Sequence, residues 1–317
     1  MRKEFVKILN IKKFFNIVEI TKNHVKYTLN EPSCILKNNI YISWLQSLNA
    51  KTFKNIPVFL SENKMKNKET PYGFLSETVP KYRGLFYHNL NESIHPEESP
   101  LQFNLILSEQ DGMQYFYQWQ RYRKYWWSSI TTTPALFSVS DMNHKDKLVK
   151  VDILAHFGNE KKIVETITLE STETNVNYCR LNCTMSLEDA VLILLLDGLT
   201  NSVQEDYLKL HRNIAPYKLS FAVEYKDARQ KEILQDLVTL IHHKITLKKI
   251  SAILPELSSS LESQIKKNLQ LGVLYTAVVN ENTLSNGIFH LLNSSTMLRE
   301  QVHVAEIEDY AALLCGK

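Results

Sequence analysis

Glycine is scarce in this chain, at 8 residues in 317. Glycine lets a backbone approach polyphosphates closely and turn with positive φ, so the count is low for an enzyme built on glycine-rich phosphate loops. Cysteine is scarce too. Cys34, Cys179, Cys183 and Cys315 are the whole set, only Cys179 and Cys183 lie close together, and no histidine pair stands nearby at zinc spacing. This excludes a disulfide framework and a cysteine–histidine metal site, and leaves reduced, structural thiols. No apolar run approaches the ~20 residues of a membrane-spanning helix, and the apolar segment 190–196 is far too short. A net charge of +3 is too mild to point to nucleic acid by itself.

What is present is a globular composition and a length sufficient for one large or two ordinary domains. Cations are unevenly spread. Arg2, Lys3, Lys7, Lys12, Lys13, Lys22, Lys26, Lys37, Lys51, Lys54, Lys64, Lys66 and Lys68 fall in the first seventy residues against few acids. Such a segment either attracts phosphate backbones or forms an ordinary solvated surface. Residues 1–18 carry Phe5, Ile8, Ile11, Phe15 and Val18 near helical spacing among basic residues. They fit either a mitochondrial targeting segment, against which Glu4 and the lack of serine stand, or the first helix of the fold.

Along the chain, 40–48 is amphipathic, 59–68 is a lysine-rich loop and 101–107 alternates as a strand, followed by a turn at 108–112. In 114–127, Tyr115, Trp119, Tyr122 and Trp126 recur at steps of four, three and four and share one helical face. Arg121 and Lys124 lie on another face, with Arg123 nearby. Four aromatics at helical spacing are a core face with the cations in water; cations interleaved with aromatics are also a pattern of nucleic-acid contact. Residues 151–169 begin strand-like, and 159–172 divides between helix and strand without a clear period. Ser186 is placed to cap a helix whose segment 190–196 is apolar all round and therefore buried.

After a polar joint at 203–213 that groups Lys209, His211 and Arg212, a strand is expected in 214–223. A helix at 227–243 follows, with Ile233, Leu234, Leu237, Val238 and Ile241 inward, then an edge-like strand at 246–254 and a helix at 258–269. The last stretch reads as strand 273–279, polar loop 280–283, a turn at Asn286-Gly287, strands 288–292 and 299–304, and a helix 305–314 with Ile307, Tyr310, Ala311 and Leu314 on one face. The fold class is α/β (α+β), with helices packed on a mixed sheet in the second half.

The run Thr283-Leu-Ser-Asn-Gly287 between two strands, with residues 296–314 after it, resembles the end of the anticodon-binding domain of class IIa aminoacyl-tRNA synthetases. It is closer still to the accessory-subunit family of mitochondrial DNA polymerase gamma, synthetase relatives that do not charge tRNA. Trp119, Arg123, Trp126 and Trp127 match a helix shared by glycyl-tRNA synthetase and that family, and 134–141 matches the Pro/Phe/Ser-rich turn after it. The resemblance covers residues 71–73, 101–141 and 186–314.

It implies a degenerate class II synthetase-like antiparallel-sheet domain at 1–210 and an anticodon-binding-like mixed five-stranded sheet flanked by helices at 211–317. Synthetases open the helix at 186 with glycines and an arginine that holds ATP phosphates; here the matching position is Asp189, and 182–186 has no glycine. The Arg-then-Glu element expected between Tyr82 and Leu107 is not found, since Gly-Leu-Phe follows Arg83. No catalytic residue, metal or cofactor is therefore expected. The resemblance implies a non-catalytic partner of the catalytic subunit of mitochondrial DNA polymerase gamma, in the matrix and nucleoid, that raises processivity in mitochondrial DNA replication. Asn286 and Gly287 are the candidate partner contact. Lys209, Arg212, Arg121 and Lys124 are candidate contacts to double-stranded or primer-template DNA. Vertebrate members dimerise through a helical insertion before the sequence matching Pro71-Tyr72-Gly73; residues 61–70 are too short for it, so no homodimer by that route is expected. A divergent active synthetase, or a tRNA-binding pseudo-synthetase, is the alternative.

Overall fold

The computed structural model describes residues 8, 11, 13–52, 56–60, 70–76, 80–89, 100–171, 178–202 and 207–315. The cations at 2, 3, 7, 12, 54, 64, 66 and 68, the side chain of Lys51 and the loop at 61–69 lie outside them. The chain divides into two compact units, 1–196 and 197–317. Both helices and sheets build it, as an α/β (α+β) fold.

Unit 1 holds β1 (Phe15–Ile20), β2 (His24–Leu29), α1 (Glu31–Thr52), β3 (Val58–Phe59), β4 (Tyr72–Leu75), β5 (Phe86–Asn89), β6 (Leu101–Ser108), α2 (Glu109–Ser129), β7 (Phe137–Val139), β8 (Asn143–Lys145), β9 (Leu148–Phe157), β10 (Glu160–Ser171) and β11 (Tyr178–Met185). Helix α1 continues the amphipathic segment at 40–48, burying Leu36, Ile40, Trp44 and Leu48. A small sheet runs β1-β2-β5 and a larger one β3-β4-β6-β11-β10-β9-β7, with β8 pairing β9. All pairs of the larger sheet are antiparallel except β3 with β4.

Four expectations change here. Phe15 and Val18 stand in β1, so the helix suggested for 1–18 does not extend through them. Residues 160–171 are strand throughout, paired to β9 in a long hairpin. Residues 108–112 are not a turn: Ser108 is the N-cap of α2, its hydroxyl accepting from the Asp111 N–H at 3.3 Å. Arg123 is not on the wet face, since it is 0% exposed. The buried face of α2 carries Gly112, Phe116, Trp119, Gln120, Arg123, Trp126 and Trp127. Gly112 lets that face close down on β11, where a Cβ would stand 2.4 Å from the Cys179 sulfur. Burial pushes the Cys179 thiol up to about 11, so it stays protonated and inert at neutral pH.

The helix α3 (Leu187–Thr200) begins in unit 1, and Ala190 through Leu196 are each at most 2% exposed. Unit 2 holds β12 (Leu219–Val223), α4 (Ala228–Leu247), β13 (Ala252–Ile253), α5 (Leu261–Gln270), β14 (Tyr275–Val279), α6 (Glu281–Asn286), β15 (Ile288–Asn293), β16 (Arg299–His303) and α7 (Ile307–Cys315). Its five-stranded sheet runs β13-β12-β14-β15-β16. β12 is parallel to both neighbours, and β14, β15 and β16 are antiparallel in turn. Every residue of β12 is buried, as a central strand covered on both faces requires. Phe221, Leu234, Val238, Ile241, Phe289, Ile307 and Ala311 share one core cluster.

Three details differ from the sequence reading. Ile233 faces out at 45% exposure. The edge strand is only Ala252–Ile253, because α4 continues to Leu247. The polar segment after β14 is not a loop but α6, capped by Asn280, whose side chain accepts from the Asn282 N–H at 3.1 Å.

Candidate functional site

The start of α3 is where a synthetase-like domain would hold polyphosphate, and four elements converge on it. The Ser186 hydroxyl caps the helix by accepting from the Asp189 N–H at 3.2 Å. Glu188 pairs with Lys37 of α1, which is 0% exposed. The Lys37 ammonium also donates to the Lys81 carbonyl at 2.5 Å and lies 4.6 Å from the centre of the Phe86 ring. Asp189 accepts from Lys162 of β10 at 3.2 Å and stands 3.5 Å from His88 Nδ1 of β5. Burial alone would raise the Asp189 carboxyl. His88 and Lys162 together outweigh it and hold the group below the ordinary carboxylate range.

A buried charge is tolerated only when paired, and here the protein supplies both halves. The acid that stands at 189 in place of an arginine thus has an internal role: two carboxylates are the partners of two buried lysines. The sequence concealed this, because Glu188 is 151 residues from Lys37 and Asp189 is 27 from Lys162. Among the described residues no group of three or more His, Cys, Asp or Glu is placed to hold a metal ion.

A second buried network lies under α2. Arg123 Nε donates to Glu165 at 2.7 Å, and its Nη1 to the Ser47 hydroxyl at 2.8 Å. Trp127 Nε1 donates to the other Glu165 oxygen at 2.7 Å. A register shift between Ile163 and Glu165 breaks the alternation of β10 and turns both Val164 and Glu165 inward. The one visible sign in the sequence is that Arg123 shares the helical face of Trp119, Trp126 and Trp127.

The candidate contact residues fall as follows. Arg121 and Lys124 are exposed on α2 in unit 1. Lys209 and Arg212 belong to unit 2; Lys209 is half-buried, its N–H donating to the Gly198 carbonyl at 3.0 Å, and Arg212 is exposed. Between them burial, and then Arg212 and Lys218, hold His211 below its ordinary value, so it adds no positive charge at neutral pH. Asn286 and Gly287 end α6. The expected hairpin-like turn is a helix C-cap: Gly287 has φ +73°, and the Asn286 side-chain oxygen accepts from the Ile288 N–H at 2.9 Å. A Cβ at Gly287 would stand 2.5 Å from His303 Nε2, so this glycine serves a tight packing contact as well as its backbone angle.

No family model matches the chain. Curated relatives do. Over 233 residues the chain is 27% identical to "DNA polymerase subunit gamma-2, mitochondrial" of Drosophila melanogaster, a match covering 65% of this chain and 64% of that protein. It is 25% identical over 224 residues to "DNA polymerase subunit gamma-2" of Mus musculus, covering 61% and 48%. The Xenopus laevis protein "DNA polymerase subunit gamma-2, mitochondrial" is 23% identical over 288 residues, covering 77% and 59%. The chain thus spans between about half and two thirds of the length of these relatives. The family that the tryptophan-rich helix and the last strands resemble is also the one that the comparisons find: this chain is similar to the DNA polymerase gamma-2 subunits.

Proposed function

We propose that this chain is a non-catalytic accessory subunit that binds the catalytic subunit of a mitochondrial DNA polymerase and raises its processivity and its hold on DNA. The similarity to gamma-2 subunits named for that polymerase carries the reading. The internal pairing of Glu188 and Asp189 with Lys37 and Lys162 supports the non-catalytic half, since a triphosphate entering there would have to displace buried ion pairs. Unit 1 is then a synthetase-like scaffold and unit 2 an anticodon-binding-like partner module. Its proposed partner contact is the Asn286-Gly287 cap. Lys209 and Arg212, and Arg121 and Lys124, are proposed DNA contacts, and the subunit works as a monomer in the mitochondrial matrix.

The test is recovery of bound partners from mitochondria with the tagged full chain. A large polymerase subunit in the eluate supports the reading; tRNA in its place overturns it. For the joint, Lys209→Glu lowers duplex affinity in a low-salt shift assay, with a shallower salt dependence. Unchanged binding removes Lys209 from the DNA contacts.

A further inference from the structure

The outward face of α2 has a composition that packing does not explain. Gln114, Tyr117, Gln118, Arg121, Lys124 and Tyr125 are all exposed. Tyr117 is 48% and Tyr125 70% exposed. The inward face is already filled by Phe116, Trp119, Trp126 and Trp127, so neither tyrosine is needed for the core. Residues 112–129 of the helix carry no carboxylate. The acids of the helix, Glu109 and Asp111, sit in its first turn, where Ser171 and Ser108 hydroxyls donate to them at 3.0 and 2.7 Å. Among the described residues neither Arg121 nor Lys124 makes an ion pair. Arg123, two residues from Arg121, contrasts with both, because its charge is spent internally on Glu165.

Tyr117 and Tyr125 are eight residues apart, so about 12 Å separates them along the axis, with Arg121 between them. We propose that this face binds single-stranded nucleic acid, the tyrosine rings stacking on unpaired bases while Arg121 and Lys124 take the phosphates. Stacking on protruding rings requires bases whose faces are open, which a duplex hides and a single strand offers. Glutamine amides both donate and accept, and so tolerate any base edge. Exposed rings beside cations that carry no ion pair match a strand that presents open base faces and a phosphate backbone together. The inference rests on the reading of Arg121 and Lys124 as DNA contacts and adds the form of the nucleic acid.

The experiment is fluorescence anisotropy of the full chain with a labelled oligothymidine of about 20 nucleotides, a length suited to a stacking groove, and with a duplex of equal length at low salt. The native chain binds the single strand more tightly than the duplex. Tyr117→Ala/Tyr125→Ala lowers affinity for the single strand by at least ~10-fold and leaves the duplex unchanged, whereas Tyr117→Phe/Tyr125→Phe binds like the native chain. Tyr125→Ala alone, at the more exposed position, carries part of the loss and guards against misfolding of the double variant. Arg121→Glu/Lys124→Glu weakens binding to both and flattens the salt dependence. If the charge reversals matter and the tyrosine changes do not, the single-strand inference alone is overturned. If the native chain binds no single strand, the single-strand inference alone is likewise overturned; if the charge reversals also leave duplex binding unchanged, the DNA reading of α2 falls with it.

Discussion

Arg123 carries a full charge at 0% exposure, and its side chain is held by one carboxylate, one hydroxyl and the face of Trp126, 4.3 Å from the guanidinium carbon. Removing one partner leaves the other charged and buried. Glu165→Ala should therefore lower the unfolding free energy by about 3–5 kcal/mol in urea titration, and Arg123→Met/Glu165→Leu should lower it by less than Glu165→Ala does. Asp189 makes a prediction with a sign. Its folded pKa is depressed below 3.8, so below that value the unfolded chain binds a proton that the folded chain resists. Its stabilisation is present above the unfolded pKa and is lost as pH falls through the folded one. Asp189→Asn should thus cost about 3 kcal/mol at pH 7, and the gap to the native chain should close progressively in titrations below pH 3.8. At Gly287, with φ +73° and His303 against its α-carbon, Gly287→Ala should cost about 1–2 kcal/mol. Gly287→Glu should in addition weaken binding to the catalytic subunit if the cap is the contact; unchanged affinity in the folded variant would remove it.

At the scale of elements, side-chain amides join helices to the sheet of unit 2. Gln264 of α5 accepts from the Val223 N–H at 2.9 Å and donates to its carbonyl at 3.1 Å, while Asn268 donates to the Phe221 carbonyl at 3.2 Å. Gln264→Leu strands two buried backbone groups and should cost about 1–3 kcal/mol, read from the shift in urea midpoint. These elements also show what a sequence makes legible. β14 and β15 were readable because β-branched and apolar runs end at turn residues that permit positive φ. α6 was not, because its six residues are too few for a helical period and Asn280 to Thr283 resemble a loop until the cap is seen. β10 was unreadable because its register shift breaks the period of two. At α2, steps of four and three gave the helix and part of its buried face, but not the charge of Arg123 within that face, since its partner lies 42 residues away.

In unit 1 internal ion pairs fill the start of α3, and unit 2 has a mixed five-stranded sheet. The antiparallel sheet, the mixed sheet and the buried helix α3 were within reach of composition and resemblance. The ion pairs at α3 were not, because pairs set by the meeting of four elements leave no local trace. In sedimentation equilibrium the purified chain should run as a monomer, and a tight dimer would contradict the proposed mode of action. The most direct measurement is the length of products made by the mitochondrial polymerase catalytic subunit on a long, singly primed template under single-encounter conditions, with and without this chain. The account predicts distinctly longer products when the chain is added and none from the chain alone. Products of unchanged length, with the two proteins sedimenting separately, would contradict it.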